Sequence, residues 1–73
     1  MSELEIAFVV VDYILNVDND ISQFRYETTV NGKKYAKFIR FDNNMVAEVY
    51  GASDKSLSVA IMRAAVKVPE ETE

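Results

Sequence analysis

Apolar residues near the N-terminus recur at spacings of three and four, which is the spacing of one helix face. Between Glu3 and Val17 this stripe holds Leu4, Ala7, Phe8, Val11, Ile14 and Leu15. The run Val9 to Val11 favours a strand, but the whole segment from Glu3 to Val17 is 15 residues, which is long for a strand. Ser2-x-x-Glu5 also matches a capping box, so we predict a helix. A second apolar set, consisting of Ile6, Val9, Val10 and Tyr13, predicts that this helix is covered on more than one side.

The middle of the chain predicts a β-hairpin. Two β-prone runs, Ile21 to Val30 and Lys33 to Phe41, flank Asn31-Gly32, a dipeptide typical of a two-residue type I′ turn. Such a turn places Val30 opposite Lys33 and sorts the side chains onto two faces. The predicted core face holds Phe24, Tyr26, Thr28, Val30, Tyr35, Ile39 and Phe41. The predicted open face holds Gln23, Arg25, Glu27, Thr29, Lys34, Ala36, Phe38 and Arg40.

A third strand is predicted from Met45 to Tyr50, after a turn at residues 42–44. A three-residue loop with Asn44 left-handed directs Met45, Ala47 and Val49 to the core and Val46, Glu48 and Tyr50 to the open face. A two-residue loop would reverse the faces and bury Glu48. We therefore predict the three-residue loop.

The last part of the chain predicts a second helix. Gly51 to Asp54 is expected to break the strand and to offer Ser53 or Asp54 as the N-cap. The apolar stripe of the helix is Leu57, Ala60, Ile61, Ala64 and Val68, and Pro69 cannot extend it. We predict one domain over residues 1–68, with a loop from Asn16 to Asp20 and a disordered acidic tail over residues 69–73.

These elements predict an α+β fold in α-β-β-β-α order. A three-stranded antiparallel meander with one apolar face needs both helices on that face, which gives a two-layer sandwich. Double-stranded RNA-binding domains share this order, but they usually clamp phosphates with a lysine-rich helix start. Here only Lys55 is basic at that place, so the charge for that function is missing.

The last helix carries a resemblance to a known family. Residues 57–66, with the sequence LSVAIMRAAV, resemble the leucine-to-alanine-isoleucine-x-arginine-alanine-alanine-leucine helix of phage ABA sandwich proteins. These small phage and prophage proteins look like the same α-β-β-β-α order, although the tryptophan often found in their first helix is absent here. The resemblance implies a fold of this kind. It implies no activity and no functional residues.

Composition argues against catalysis. The 73 residues include no histidine and no cysteine, so the commonest general base and the best nucleophile are missing. We expect no enzyme activity, no cofactor and no metal site. Glu3 and Glu5 do not suit a signal peptide, and the apolar run from Ile6 to Val11 is far shorter than the roughly 20 residues that span a bilayer. We expect a cytoplasmic protein, in the host cytoplasm if a phage encodes it, and no membrane partner.

Charge and aromatic residues suggest a binding surface on the open sheet face. Residues 21–41 hold five basic side chains against Glu27 alone, although the whole chain has a net charge of −4. The predicted partner-binding residues are Arg25, Lys34, Phe38, Arg40, Val46 and Tyr50, since aromatic and arginine side chains are common interface anchors. We expect a host or viral protein, or a second copy of the chain, as the partner, with inhibition as one outcome of binding. The alternative is a nucleic acid held by the basic hairpin and the open face.

Overall fold

The computed structural model describes residues 1–17 and 21–69 of the chain. Part of the predicted loop at residues 16–20 and most of the predicted acidic tail lie outside the described residues. Helix α1 spans Glu3–Val17, as predicted. Its capping box forms: the Glu5 backbone N–H donates to Ser2 Oγ over 3.2 Å, and the Ser2 backbone nitrogen donates to Glu5 Oε1 over 3.1 Å. These bonds satisfy amides that a helix start would otherwise leave unpaired.

The remaining elements confirm the predicted fold class. Strands β1 (Ile21–Thr28), β2 (Lys34–Asp42) and β3 (Met45–Asp54) form an antiparallel sheet in the order β1-β2-β3, and helix α2 spans Leu57–Ala65. Both helices lie on one face of this sheet. No helix within residues 1–17 and 21–69 has the length and apolarity needed to cross a membrane.

The interface between helices and sheet is built from small residues around two large ones. Ala7, Ala36, Ala60 and Ala64 are wholly buried, together with Phe38 and Ile61. Alanine side chains let the helices approach the sheet closely, while the larger side chains fill the remaining space. At the edge of this core the Phe8 ring packs edge-to-face on Phe24 and Tyr26, with centroids 6.1 and 6.0 Å apart. The two predicted helix stripes are thus confirmed, except that Leu4 is exposed and that Val68 packs against the core from beyond the end of α2 at Ala65.

The first hairpin differs from the prediction by one residue. Thr28 pairs with Lys34, the Thr29 N–H donates to the Lys33 carbonyl over 2.7 Å, and the Gly32 N–H donates to the Thr29 carbonyl over 3.0 Å. Only Gly32 is left-handed in this loop, with φ +83°. This is a three-residue loop with a glycine bulge rather than a type I′ turn. The Thr29 hydroxyl supports it by hydrogen bonding to Asn31 Oδ1.

This one-residue difference turns strand β2 over, because side chains alternate between the faces of a strand. Phe38 now pairs with Phe24, and Ala36 pairs with Tyr26, so both lie beneath the helices. The predicted faces of β2 were therefore wrong. The residues that reach the open face instead are Tyr35, Lys37, Ile39 and Phe41. The physical reason is the helix contact: Ala36 fits beneath the alanines of α2, whereas a tyrosine would hold the helix away from the sheet.

The second hairpin also differs from the prediction. Asp42 pairs with Met45, and Asn43 and Asn44 are both left-handed with φ of 52° and 65°, which is the two-residue type I′ geometry. A bulge then follows between Arg40 and Phe41. As a result Glu48 and Tyr50 lie on the helix side, while Val46 and Val49 lie on the open face. Glu48 is nevertheless exposed on that side, with 50 % of its side chain accessible where it pairs with Arg40.

Strand β3 continues past the predicted break at Gly51. The Tyr35 side chain lies over this glycine on the open face, so a Cβ there would overlap its hydroxyl and lie 2.6 Å from its Cζ. Helix α2 is capped by Ser56 rather than by Ser53 or Asp54. Asp54 still contributes, since its Oδ1 accepts the Ser56 N–H over 3.0 Å. The strand therefore runs directly into the cap of α2.

Candidate functional site

The structure does not bring the six predicted partner-binding residues together. They are Arg25, Lys34, Phe38, Arg40, Val46 and Tyr50. Phe38 is wholly buried in the core, and Tyr50 packs against the core from the same face of the sheet. Neither aromatic ring is on the open face, so the prediction that Phe38 and Tyr50 lie there was wrong. Arg25 and Val46 do lie on the open face, but on the two opposite edge strands β1 and β3.

The other predicted cations have intramolecular partners. Arg40 Nη2 lies 2.6 Å from Glu48 Oε1, and the Tyr50 hydroxyl donates to Glu48 Oε2 over 2.7 Å. The hydrogen bonds from Tyr50 and Arg40 hold the pKa of the Glu48 carboxyl below its usual value, so this pair stays ionised at neutral pH. Lys34 Nζ donates to Thr28 Oγ1 over 2.8 Å. Both cations lie on the helix side of the sheet.

The open sheet face has an apolar centre that the predicted register missed. Ile39 is only 6 % exposed, although it alternates with Phe38 onto the face away from the helices and is not part of the core cluster. Arg25 and Lys37 are paired across strands β1 and β2, and Lys37 Nζ lies 5.9 Å from the centre of the Tyr35 ring. The open face therefore combines two cations with an aromatic ring. A predicted register shifted by one residue would have placed Arg25, Tyr35 and Lys37 together on the open face.

A larger apolar surface lies on the side of the helix layer that faces away from the sheet. Its members recur at spacings of three and four on each helix and are exposed. They are Ile6, Val9, Tyr13 and Val17 of α1 and Val59, Met62 and Val66 of α2, and we call these seven residues the outer helix face. The sequence predicts cover over the second apolar set of α1. In the structure Tyr13 remains 65 % exposed and Val66 81 % exposed, so the described part of the chain does not supply that cover.

A groove runs between the two helices on this side. It has a volume of about 460 Å³, and it is lined by Glu3 and Ile6 of α1 and by a face of α2 that includes Val59, Met62 and Val66. Nearly all of its surface is apolar. A second depression of about 420 Å³ lies along the opposite flank of α1, where Val9 is exposed beside the half-buried Phe8. Apolar concave surface thus borders α1 on both flanks.

The charges around this surface are mostly acidic. Glu3 borders the groove, and Glu5 and Asp12 border the second depression. Helix α1 carries no basic residue. Hydrogen bonds from Ser2 hold the pKa of Glu5 below its usual value, so this carboxylate is charged at neutral pH. On the α2 side, Arg63 lies at the groove but is 3.6 Å from Asp54 Oδ2, which compensates part of its charge.

Sequence reasoning found only half of this surface. The exposed set on α1 was recognised as apolar but was assigned a cover. The set Val59, Met62 and Val66 on α2 was missed, although its spacing of three and four, opposite the buried stripe, was a usable signal. No group of three or more acidic side chains that could hold a metal occurs in the part of the chain that the structure describes. Comparisons with protein-family models, curated proteins and solved structures find no match to this chain.

Proposed function

We propose that this is a non-enzymatic accessory protein, of the phage or prophage type that its last helix resembles, which binds another protein through the outer helix face. One observation carries the proposal. Both helices bury one apolar stripe against the sheet and leave a second apolar stripe exposed on the same side of the molecule. Contiguous exposed apolar surface with a polar border is typical of protein interaction sites. A partner whose own contacts are blocked in this way would be inhibited.

The outer helix face suits this role better than the open sheet face does. On the sheet, the central Ile39 is already buried, so docking there would gain little from it. On the helices, Tyr13 offers a large aromatic side chain and Met62 an adaptable one, both with substantial exposed area. Burial of such area drives association, and tyrosine is frequent among the residues that dominate binding energy.

The proposal can be tested by photo-crosslinking in cells that produce the full chain. A photoreactive phenylalanine analogue replaces Tyr13 or Met62 on the outer helix face, and it replaces Val49 on the open sheet face as the matched control. All three sites are exposed, so the variants should fold equally well. We expect a covalent adduct with another protein from Tyr13 and Met62 but not from Val49. Adducts from Val49 alone, or from none of the sites, would contradict the proposal.

Nucleic-acid binding by the open sheet face is the second candidate. The observation in its favour is the Arg25 and Lys37 pair beside the half-buried Tyr35 ring, since cations can contact phosphates and aromatic rings can stack bases. The net charge of −4 opposes it. Fluorescence anisotropy with single- and double-stranded DNA and RNA, at about 50 and 200 mM salt, tests this candidate. Binding that is steeply weakened by salt and lost in Arg25→Gln and Lys37→Gln would support it over protein binding.

A further inference from the structure

Strand β1 is one of the two edges of the sheet and pairs on one side only, with β2. We propose that β1 of one copy of the chain pairs antiparallel with β1 of a second copy about a twofold axis at Tyr26. Two three-stranded sheets would then form one continuous sheet. This edge is separate from the outer helix face, so the inference does not depend on the proposed function.

The two edges of the sheet differ in their protection. A free edge offers unpaired N–H and C=O groups to any extended chain, and proteins commonly block it with a lysine or a bulge. Strand β3 has both, since Lys67 Nζ donates to the Gly51 carbonyl over 2.6 Å and a bulge interrupts its pairing with β2. Strand β1 pairs with β2 in an unbroken register from Gln23 to Thr28, and among the described residues no side chain is bonded to the backbone of that stretch. The edge that remains open to pairing is therefore β1.

The outward-facing backbone groups of β1 recur at every second residue. The Thr29 N–H donates to the Lys33 carbonyl across the hairpin, and bonded pairs alternate with non-bonded pairs along an antiparallel ladder. This alternation turns the N–H and C=O groups of Phe24, Tyr26 and Thr28 away from β2. Pairing about Tyr26 sets these three residues against the same three of the second copy, which allows about six hydrogen bonds between the chains.

Charge complementarity selects a second copy as the strand that pairs here. Arg25 and Glu27 lie on the open sheet face of β1, on either side of Tyr26. Pairing about Tyr26 places Arg25 of each copy directly opposite Glu27 of the other. Opposite charges across two strands stabilise their pairing, whereas like charges destabilise it. An axis at Phe24 or Thr28, the other outward-facing residues, would lose both charge pairs.

The same arrangement covers apolar surface that a single copy leaves exposed. Tyr26 is 55 % exposed, and on the axis it would lie beside its own counterpart. The flank of α1 whose Phe8 packs on Tyr26 also carries the exposed Leu4 and Val9, and burial of such side chains drives association. Acidic side chains border this flank as well, so the strand contacts must outweigh a repulsion between the two helices.

Sedimentation velocity of the full chain tests the dimer. We expect a dissociation constant between about 10 µM and 1 mM, since a strand-edge interface lies at the small end of interface sizes. Arg25→Glu and Glu27→Arg should each weaken the dimer at least about fivefold, because each sets like charges opposite one another at two places. The matched control is Lys55→Glu, a charge reversal at an exposed residue outside β1, and circular dichroism checks that every variant is folded.

An equimolar mixture of the two charge-reversed variants separates pairing between chains from effects within one chain. In a mixed dimer of Arg25→Glu with Glu27→Arg, every acidic side chain at the interface meets a basic one. The mixture should therefore dimerise at least as well as the wild-type chain, although each variant alone does not. Interactions within a single chain cannot produce this recovery.

Introduced cysteines test the register, because the chain has none of its own. Tyr26→Cys places a cysteine on the proposed axis, where paired Cα atoms are about 5.5 Å apart, a separation that a disulfide can bridge. Thr28→Cys is offset from its counterpart by about 13 Å along the strands, and Val49→Cys lies on the other edge strand. Mild oxidation should give a covalent dimer with Tyr26→Cys but not with the other two.

Four results would overturn the inference. The first is a wild-type chain that stays monomeric up to about 1 mM. The second is a dimer that neither charge reversal weakens, and the third is a mixture of the two folded variants that remains monomeric. The fourth is a disulfide through Val49→Cys in preference to Tyr26→Cys, which would assign the interface to β3. None of these results bears on protein binding by the outer helix face.

Discussion

Replacing Phe38 by alanine distinguishes the observed strand register from the one that the Asn31-Gly32 turn predicts. In the structure Phe38 is wholly buried, and its ring centre lies 5.0 Å from that of Phe24. In the predicted register it would lie on the open sheet face, where its truncation would change stability by less than about 0.5 kcal/mol. The same substitution therefore gives opposite results in the two registers.

The expected loss is large relative to the stability of the domain. Truncating a fully buried phenylalanine to alanine costs about 3–5 kcal/mol, since it removes apolar burial and leaves a cavity. A chain of 73 residues has a free energy of unfolding of about 4–11 kcal/mol at typical values per residue. Phe38→Ala should therefore remove at least about a quarter of the stability and, at the lower end of this range, unfold the protein. Phe38→Leu, with an intermediate loss of about 1–2 kcal/mol, keeps the effect measurable.

Urea denaturation followed by circular dichroism measures these losses. The matched control is Tyr13→Ala, which removes an aromatic ring that is 65 % exposed and should change the free energy of unfolding by at most about 0.5 kcal/mol. For Phe38→Leu the melting temperature should fall by about 4–16 °C. If Phe38→Ala were as stable as Tyr13→Ala, Phe38 would not be in the core and our account of the first hairpin would be refuted.

Three further predictions concern the hairpins and the first helix. Gly32→Ala should lower stability by about 1 kcal/mol, and Gly32→Asn by less, because Gly32 has a left-handed φ; equal losses in a urea titration would argue against this. Gly51→Ala should destabilise the wild-type chain but not a Tyr35→Ala chain, since the Tyr35 ring occupies the place of the new methyl group; a loss that persists in the double variant would exclude this explanation. Hydrogen bonds with Ser2 lower the pKa of Glu5 in the folded state. The stability that the Glu5 carboxylate contributes is therefore present at neutral pH and is lost as the pH falls through and below 4.5. Glu5→Gln should therefore show a smaller drop in melting temperature on acidification, and an unchanged drop would contradict the capping role.

The helices could be predicted because their determinants are local. The bounds of α1, its capping box at Ser2 and Glu5, and the buried stripes of both helices follow from spacings of three and four and from side-chain bonds to nearby amides. The order of elements and the two-layer sandwich followed in turn. The apolar character of the second stripe on α1 was equally readable, but whether anything covers it is a question about distant parts of the fold.

The faces of the sheet were decided by tertiary contacts. Asn31-Gly32 is compatible with a two-residue and a three-residue loop, since both loop types place a residue in the left-handed conformation that glycine readily adopts. The choice between the two loops reverses the faces of strand β2, so it decides which of its side chains pack against the helices. The fold adopts the loop that sets Ala36 and Phe38 beneath the helices and leaves Tyr35 over Gly51 on the open face. The sequence alone thus determined which segments are helices and strands and which side of β1 faces the core, and long-range packing against α2 determined the sides of β2 and of most of β3.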